Sequence, residues 1–377
     1  MRMMKRLQEL ASLIPNARLS GSDAEITSIE RDSRRIGEGA LFVCISGAHV
    51  DAHSFIPNAA RAGARAILTE RETVDVSEGL SVLHVPDLQE ALDTIVPYFY
   101  DYPARSMRVI GITGTNGKTT TSYLVRAILR HAGKRVGLIG TIQVMMEDEV
   151  FPTANTTPDV IVMQQLLAEM RARSMDAVVM EVSSHALDQG RVAGIEFDTA
   201  VFTNLTQDHL DYHKTMENYA RAKARLFDLV SEAGTKAGKT AVLNADDAAS
   251  ATMRAHTRCP VISYGVESKA DLAARDVHLA QDGMELTLVH GEAEPVKLHI
   301  SITGLFNVYN VLAATGAALA EKIGAADIAA ALRAFTGVPG RFELVRAGQD
   351  FSVIVDYAHT PDGMENVLRT ARAVTAG

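Results

Sequence analysis

Residues 108–131 read RVIGITGTNGKTTTSYLVRAILRH, and no other stretch constrains the fold as tightly. An apolar run of strand length ends in a turn with two glycines and a lysine, and a helix-patterned segment follows at once. The turn departs from G-x-x-x-x-G-K-[ST], because Ile112 stands where the first glycine belongs and Gly114 comes later. Strand, glycine turn, Gly-Lys-Thr and helix are nonetheless the parts of a phosphate cradle. Gly114 and Gly117 admit backbone N–H groups to an anion, and the helix N-terminus adds partial positive charge. Lys118 would reach the terminal phosphates and Thr119 would offer its hydroxyl to Mg²⁺. The plainer alternative, a glycine turn with a solvated lysine, leaves the strand and helix around it unexplained.

Such a loop needs a sheet, and the chain supplies one. SMRVIGIT, KRVGLIGT, DAVVMEV, FDTAVFTNL, AVLNADD and PVISYG read as buried strands. TTTSYLVRAILRHAG and DVIVMQQLLAEMRAR alternate with them as helices. That rhythm indicates a doubly wound, mostly parallel sheet covered on both faces. Before it lie the short strands EITSI, ALFVCI, ARAILTE and SVLHV and the helix LQEALDTIVPYFY, a mixed α/β region. After it come a hairpin, MELTLVHG with VKLHISI, and the helices NVYNVLAATGAALAEK and ADIAAALRAF. YDYPARS (100–106) and TGVPGRFE (336–343) are Pro/Gly-punctuated breaks, which divides the chain into 1–101, 102–337 and 338–377. The last piece holds one strand, FSVIVDYAH, and one helix, MENVLRTARAV. A single βα unit cannot cover its own apolar faces, so it packs on the middle domain or begins a third.

A net charge of −9 without a Lys/Arg-dense segment excludes nucleic acid as the main partner. The opening MRMMKRLQELASLIP lacks a signal peptide's apolar core, and no run reaches membrane-span length. Cys44 and Cys259, far apart in sequence, read as buried free thiols. Together these indicate a cytoplasmic protein.

Candidate site residues cluster after strands, where ligands gather in open α/β sheets. Glu181 ends DAVVMEV, placed to meet a nucleotide-bound Mg²⁺ or to cap a helix. Ser183, His185, Gln189 and Arg191 follow it. TNLTQDHLDYH packs Asp208, His209, Asp211 and His213 together, and His209 with Glu181 makes a mixed N/O metal pair. In NYARAKARLF, Tyr219, Ala222, Leu226 and Phe227 face inward and leave Lys223 beside the core face. Desolvation would make that amine reactive, although the pattern alone reads more simply as a surface lysine. Asn307 and Asn310 stand near a helix start, where capping explains one of them and adenine recognition both. Asp356 ends a strand, in reach of a ribose hydroxyl.

In order, GTNGKTT, NTTPD, MEVSSHAL, TNLTQDHLDYH, NYARAKARLF, NVYNVLAA, PGRFE and DYAHTPD resemble the Mur ligases of bacterial peptidoglycan synthesis. NTTPD and MEVSSHAL point to the member that adds a diamino acid, meso-diaminopimelate or L-lysine, to UDP-N-acetylmuramoyl-L-Ala-D-Glu. The resemblance implies an α/β protein of three domains: a mixed UDP-binding domain, a P-loop ATPase-like central domain and an incomplete Rossmann-like one for the amino acid. It implies ATP, two Mg²⁺ ions, an acyl-phosphate intermediate and a monomer. Carried over, Gly114, Thr115, Asn116, Gly117, Lys118, Thr119 and Thr120 hold the ATP phosphates. Thr119, Glu181 and His209 face metal, and Lys223 becomes an anionic metal ligand after carbamylation by CO₂. Lys118, Glu181, His209 and Lys223 form the catalytic set. Ser33, Ala48, His49 and Val50 contact UDP, with Ala52 departing from a common family glycine. Asn155, Thr156, Thr157, Ser183, Gln189 and Arg191 hold the muramoyl dipeptide, while Asn307, Asn310, Arg341 and Asp356 contact adenosine. Members of the family run about a hundred residues further, so this chain is expected to bind ATP and the UDP substrate but to ligate poorly. Two rival readings are a folylpolyglutamate synthase-like ligase, disfavoured by NTTPD and MEVSSHAL, and a non-catalytic Mur-ligase-like binding subunit.

Overall fold

A computed structural model describes residues 3–47, 50–345, 347–349 and 351–374. Two of the expected UDP contacts, Ala48 and His49, lie outside the described residues. The chain forms two compact units, the first of Met1–Pro103, Pro158–Glu169 and Gly190–Ile195, and the second of Ala104–Thr157, Met170–Gln189 and Glu196–Gly377.

In the first unit a five-stranded sheet runs in the order Arg18–Ser20, Ser81–His84, Ala64–Thr69, Ala40–Val43, Ser28–Glu30. Its last four strands are parallel and the first is antiparallel. The strand ALFV is buried at every residue, as a strand covered on both faces must be. The helix Leu88–Phe99 starts where Asp87 accepts a hydrogen bond from Glu90 N at 2.8 Å. It turns Leu92, Ile95, Val96 and Phe99 into the core of this unit, a spacing of helical period.

The second unit is built on an eleven-stranded sheet. Its parallel core runs Val136–Ile139, Ala177–Glu181, Arg108–Thr113, Thr199–Phe202, Thr240–Asn244, Val261–Gly265. Arg108–Thr113 comes first in the chain yet lies centrally, between strands reached in opposite directions. That is the topological switch point where ligands bind at carboxyl ends of strands. The helix Lys118–His131 leaves this strand through the glycine turn. It buries Leu124, Val125, Ile128 and Leu129, and it ends on Arg130 and His131, charges that suit a helix C-terminus.

Two elements differ from the sequence reading. The expected hairpin is a three-stranded antiparallel extension, because Leu272–Ala280 pairs with Gly283–His290 ahead of Val296–Ile300. The register of that first strand shifts between Arg275 and His278, beside Asp276 at φ 49°. The shift breaks the two-residue period by which a strand is recognised. At the other edge, Val144–Met146 and Glu149–Phe151 form a short hairpin turned at Glu147, φ 55°. Residues 338–374 belong to the second unit, where Glu343–Val345 pairs with Val353–Val355 and the helix Pro361–Val374 buries Thr370.

Candidate active site

The unusual loop spacing has a structural cause. Ile112 is a fully buried sheet residue, paired with Glu181 on one side and Val201 on the other, so the strand continues through the place of the usual first glycine. Gly114 then turns the chain at φ +150°, where a Cβ would sit 1.8 Å from Thr203 Oγ1. Gly117, at φ +85°, would put a Cβ 2.3 Å from Asn310 Oδ1. Both positions therefore require glycine for conformation and for space. The turn is pinned by its neighbours: Asn116 N donates to Asn204 Oδ1 at 2.9 Å, and Thr203 Oγ1 donates to Asn116 O at 2.6 Å. Lys118 Nζ donates to the carbonyls of Gly114 and Thr115 at 2.9 and 2.8 Å. Burial pulls its pKa down, against the opposing field of Glu181.

Glu181 ends the neighbouring strand, fully buried. It caps no helix; the short helix after it is capped by Ser183, which accepts from Ala186 N at 3.2 Å. Glu181 instead accepts from Thr119 Oγ1 at 3.0 Å, from Thr141 N at 2.8 Å and from Thr141 Oγ1 at 3.0 Å. A buried carboxylate bonded only to neutral donors invites a cation. Glu181 Oε2 and Thr119 Oγ1, 3.0 Å apart, are both oxygen donors of the kind that hard cations take. The residues thus suit Mg²⁺. Among the described residues no three His, Cys, Asp or Glu side chains gather into a metal cage. The NTTPD turn packs on the same strand end: Thr156 Oγ1 lies 3.1 Å from Thr141 Oγ1, and Thr157 Oγ1 donates to Glu181 O at 3.0 Å. Ser183 N in turn donates to Thr157 Oγ1 at 3.1 Å.

Lys223 is no surface lysine. It is 1% exposed on the helix Met216–Ser231, its Nζ donates to Gly114 O at 2.7 Å, and it lies 4.3 Å from the Tyr219 ring centre. Burial, then the charge of Lys118, drives its pKa well below the usual lysine value, and the attraction of Asp208 does not restore it. A neutral amine is the form that captures CO₂. His209 sits at φ 52° with its Nε2 3.3 Å from Asp208 Oδ2 and its ring centre 4.7 Å from that of His185. Burial lowers its pKa against the pull of Asp208, which favours the neutral imidazole that ligates metals. Glu181 and His209 reach the loop from different strands and make no direct hydrogen bond to each other.

Asn307 and Asn310 are buried beside the loop. Asn307 Nδ2 donates to Thr303 O at 2.8 Å, and Asn310 Nδ2 donates to Asn307 Oδ1 at 2.9 Å. Arg341 Nη2 donates to Thr119 Oγ1 at 3.0 Å, bringing residues beyond 338 to the first turn of the Lys118–His131 helix. Asp356 accepts from Phe342 N and Ala358 N, both at 2.7 Å, and so shapes its own strand end. Asn155 and Gln189 also lie in the second unit, whereas Ser33, Val50 and Arg191 lie in the first.

The Mur ligase middle domain matches residues 112–318, the segment that holds most of this site. The Mur ligase family catalytic domain matches 25–101, and the Mur ligase glutamate ligase domain matches 340–377. The chain belongs to the Mur ligase family. The UDP-N-acetylmuramoyl-L-alanyl-D-glutamate–2,6-diaminopimelate ligase of Bacillus cereus is 48% identical over 354 residues, covering 94% of this chain and 71% of the relative. A solved structure of a ligase with the same name superposes with a TM-score of 0.81 at 28% identity, over 100% of this chain and 75% of the other. The MurF ligase of Thermotoga maritima, solved in complex with ADP, shares the fold at a TM-score of 0.68 and 20% identity, over 91% of this chain and 74% of that one.

Several residues that shape this Mur ligase site escaped the sequence reading. Thr141 holds Glu181 twice, Thr203 and Asn204 fix the phosphate loop, and Asp362 accepts from Asn116 Nδ2 at 2.9 Å. Thr141, Thr203 and Asn204 directly follow strands of the parallel core, so a search of every strand's carboxyl end for hydroxyl and amide side chains would have found them. Tyr219 is buried as its inward-facing position predicts, and its hydroxyl also lies 3.2 Å from Thr115 Oγ1.

Proposed function

We propose that the chain catalyses ATP-dependent amide-bond formation, joining 2,6-diaminopimelate to the D-glutamate side-chain carboxylate of UDP-N-acetylmuramoyl-L-Ala-D-Glu in peptidoglycan synthesis. The observation that carries this reading is the convergence on Gly114–Thr120 of a buried carboxylate, Glu181, and a buried amine, Lys223. The relatives named above support the choice of substrates.

When bound, ATP supplies the phosphoryl group that converts the carboxylate to an acyl phosphate, and magnesium neutralises charge on that group. The chain's own residues position and stabilise. The loop amides and the N-terminus of the Lys118–His131 helix cradle the phosphates. Lys118 exchanges its two carbonyl partners for phosphate oxygens. Thr119, Glu181 and the neutral His209 would hold magnesium, and Lys223 would join them once CO₂ has made its amine a carbamate. Asn155, Thr156, Thr157, Ser183, Gln189 and Arg191 hold the muramoyl dipeptide. Ser33, Ala48, His49 and Val50 hold its UDP end. Asn307, Asn310, Arg341 and Asp356 border the adenosine. Segments 1–101, 102–337 and 338–377 act as domains for the UDP substrate, for ATP and for the amino acid. The protein works as a cytoplasmic monomer; among the described residues no helix is long and apolar enough to cross a membrane.

The test is phosphate release from ATP in the presence of the UDP-muramoyl dipeptide, with and without 2,6-diaminopimelate, alongside ATP affinity. Release should depend on the amino acid, and Lys118→Ala should lower turnover by about 10²- to 10³-fold, the cost of removing a cation from a developing phosphoryl charge. Amino-acid-independent release, or full ATP affinity in Lys118→Ala, would overturn the proposal.

A further inference from the structure

Residues 338–374 bring one charge of each sign to the phosphate loop. Arg341 Nη2 donates to Thr119 Oγ1 at 3.0 Å, and Asp362 Oδ2 accepts from Asn116 Nδ2 at 2.9 Å. Each group is also held from its own side. The Arg341 guanidinium lies over the Tyr357 ring, 5.0 Å from its centre, and Arg341 N donates to Val338 O at 3.1 Å. Asp362 stands in the first turn of the helix Pro361–Val374, where Thr360 Oγ1 accepts from Gly363 N at 3.1 Å. Between the two, Phe342 is buried against Phe306, with ring centres 5.7 Å apart. That packing involves no residue of the loop.

The two contacts conflict with what a nucleotide site must do. A hydroxyl has one hydrogen and two lone pairs. Thr119 gives its hydrogen to Glu181 Oε2 at 3.0 Å and accepts from Arg341. A magnesium ion bound to the same oxygen would face the guanidinium across one atom, and the two cations repel at that range. Asp362 repeats the conflict with the opposite sign. Its carboxylate, fixed to the loop residue Asn116, repels phosphates that enter the cradle. A site whose competent form is only a fraction of the population binds with its affinity reduced by that fraction. Reciprocity then requires a nucleotide to weaken the hold on the segment by the same factor.

We propose that Arg341 and Asp362 form a latch that holds residues 338–374 against the phosphate loop, a cation and an anion standing in for magnesium and phosphate, and that a magnesium nucleotide displaces both. The proposal rests on the reading of Gly114–Thr120 as a nucleotide site and adds a competitor for it within the chain. Phe342 on Phe306 remains as the attachment when the polar contacts break.

The test is calorimetric titration of the full chain with MgADP, joined to hydrogen exchange of the Pro361–Val374 helix with and without that ligand. Asp362→Ala should tighten MgADP by about three- to tenfold, the equilibrium weight of one hydrogen bond to a charged group. Asp362→Asn, which keeps the shape and removes the charge, should move affinity in the same direction. Arg341→Met should bind Mn²⁺ alone about threefold more tightly than wild type, counted from the electron paramagnetic resonance of the free ion. In wild type MgADP should speed exchange in the helix, whereas in Asp362→Ala exchange should begin fast and respond little. Unchanged or weaker MgADP binding in both Asp362 variants would overturn the latch. So would unchanged or weaker Mn²⁺ binding in Arg341→Met, or exchange that slows when MgADP binds, the mark of a segment that closes on the nucleotide. Folded wild-type protein that bound no MgADP at all would sink the nucleotide reading itself, and the latch only through it.

Discussion

The strands Arg108–Thr113 and Val353–Val355 are written alike, each an apolar run leading into a polar loop, but their environments are opposite. The first lies between two parallel neighbours and is buried at all but its opening residue. The second pairs, among the described residues, only with Glu343–Val345, and its valines are exposed. Around it Phe351, Tyr357, Met364 and Leu368 are also exposed. Apolar content marks what a strand is able to bury; its neighbours decide what it does bury. The region beyond residue 338 is joined to the phosphate loop by polar contacts, Asp362 with Asn116 and Arg341 with Thr119, and buries Phe342 edge-on against Phe306. One region is thus held by packing on both faces of a sheet and the other by a few directed hydrogen bonds and a small buried patch.

The sharpest way to break this contrast is at glycines that share a positive φ. Gly114→Ala would drive a methyl into Thr203 at a strained φ, whereas Gly340→Ala, at φ +67°, meets nothing within 4 Å. Overpacking and strain together should cost about 3 kcal/mol or more at Gly114, and strain alone about 1 kcal/mol at Gly340. Urea unfolding followed by circular dichroism reads both. Equal losses would mean that the region beyond 338 is as tightly packed as the loop.

Much of the covered half was legible in the sequence because its signals are local. RVIGIT, the glycine turn and the helix after it stand within 24 residues, and the ends of DAVVMEV and FDTAVFTNL obey the same strand-end rule. Lys223 was not legible from the residues alone. Its helix face placed it beside the core, but its burial depends on the carbonyl of Gly114, 109 residues away. Thr141 and Glu181 meet across 40 residues, and nothing in GTIQ announces it. The strand Leu272–Ala280 was hidden for a local reason, its register shift. Chemistry carried by a single segment was readable, and chemistry made by two segments meeting required the fold or a family resemblance.

A smaller effect comes from a carboxylate that fastens the covered half. Asp246 accepts from Val266 N at 2.6 Å, Glu267 N at 3.0 Å, Ser268 N at 2.7 Å and Tyr309 Oη at 2.9 Å. Burial pushes its pKa up, but the backbone donors outweigh this and hold it well below the usual aspartate value. A depressed folded pKa contributes stability that is complete above the unfolded value, about 3.9, and is lost as pH falls through the folded one. Asp246→Asn should therefore cost about 1 kcal/mol at pH 7, and its gap from wild type should narrow as pH drops below about 4. A gap independent of pH would place the acid sensitivity of this region elsewhere.

The smallest expected effect bears on the other half. Phe351 is 65% exposed and Leu368 is 61% exposed, so replacing either with serine removes little area that folding takes from water. Each of Phe351→Ser and Leu368→Ser should change unfolding free energy by no more than about 0.5 kcal/mol, the usual range for surface substitutions. Buried side chains of similar size cost several times more when truncated, about 2–5 kcal/mol. The pair of variants therefore measures coverage directly. If they cost as much as core truncations, something covers this face in solution and the contrast with Arg108–Thr113 collapses. If they are neutral while Asp362→Ala increases hydrogen exchange in the Pro361–Val374 helix, that helix is held by its polar contact with the phosphate loop, because the apolar side chains beside it carry no load.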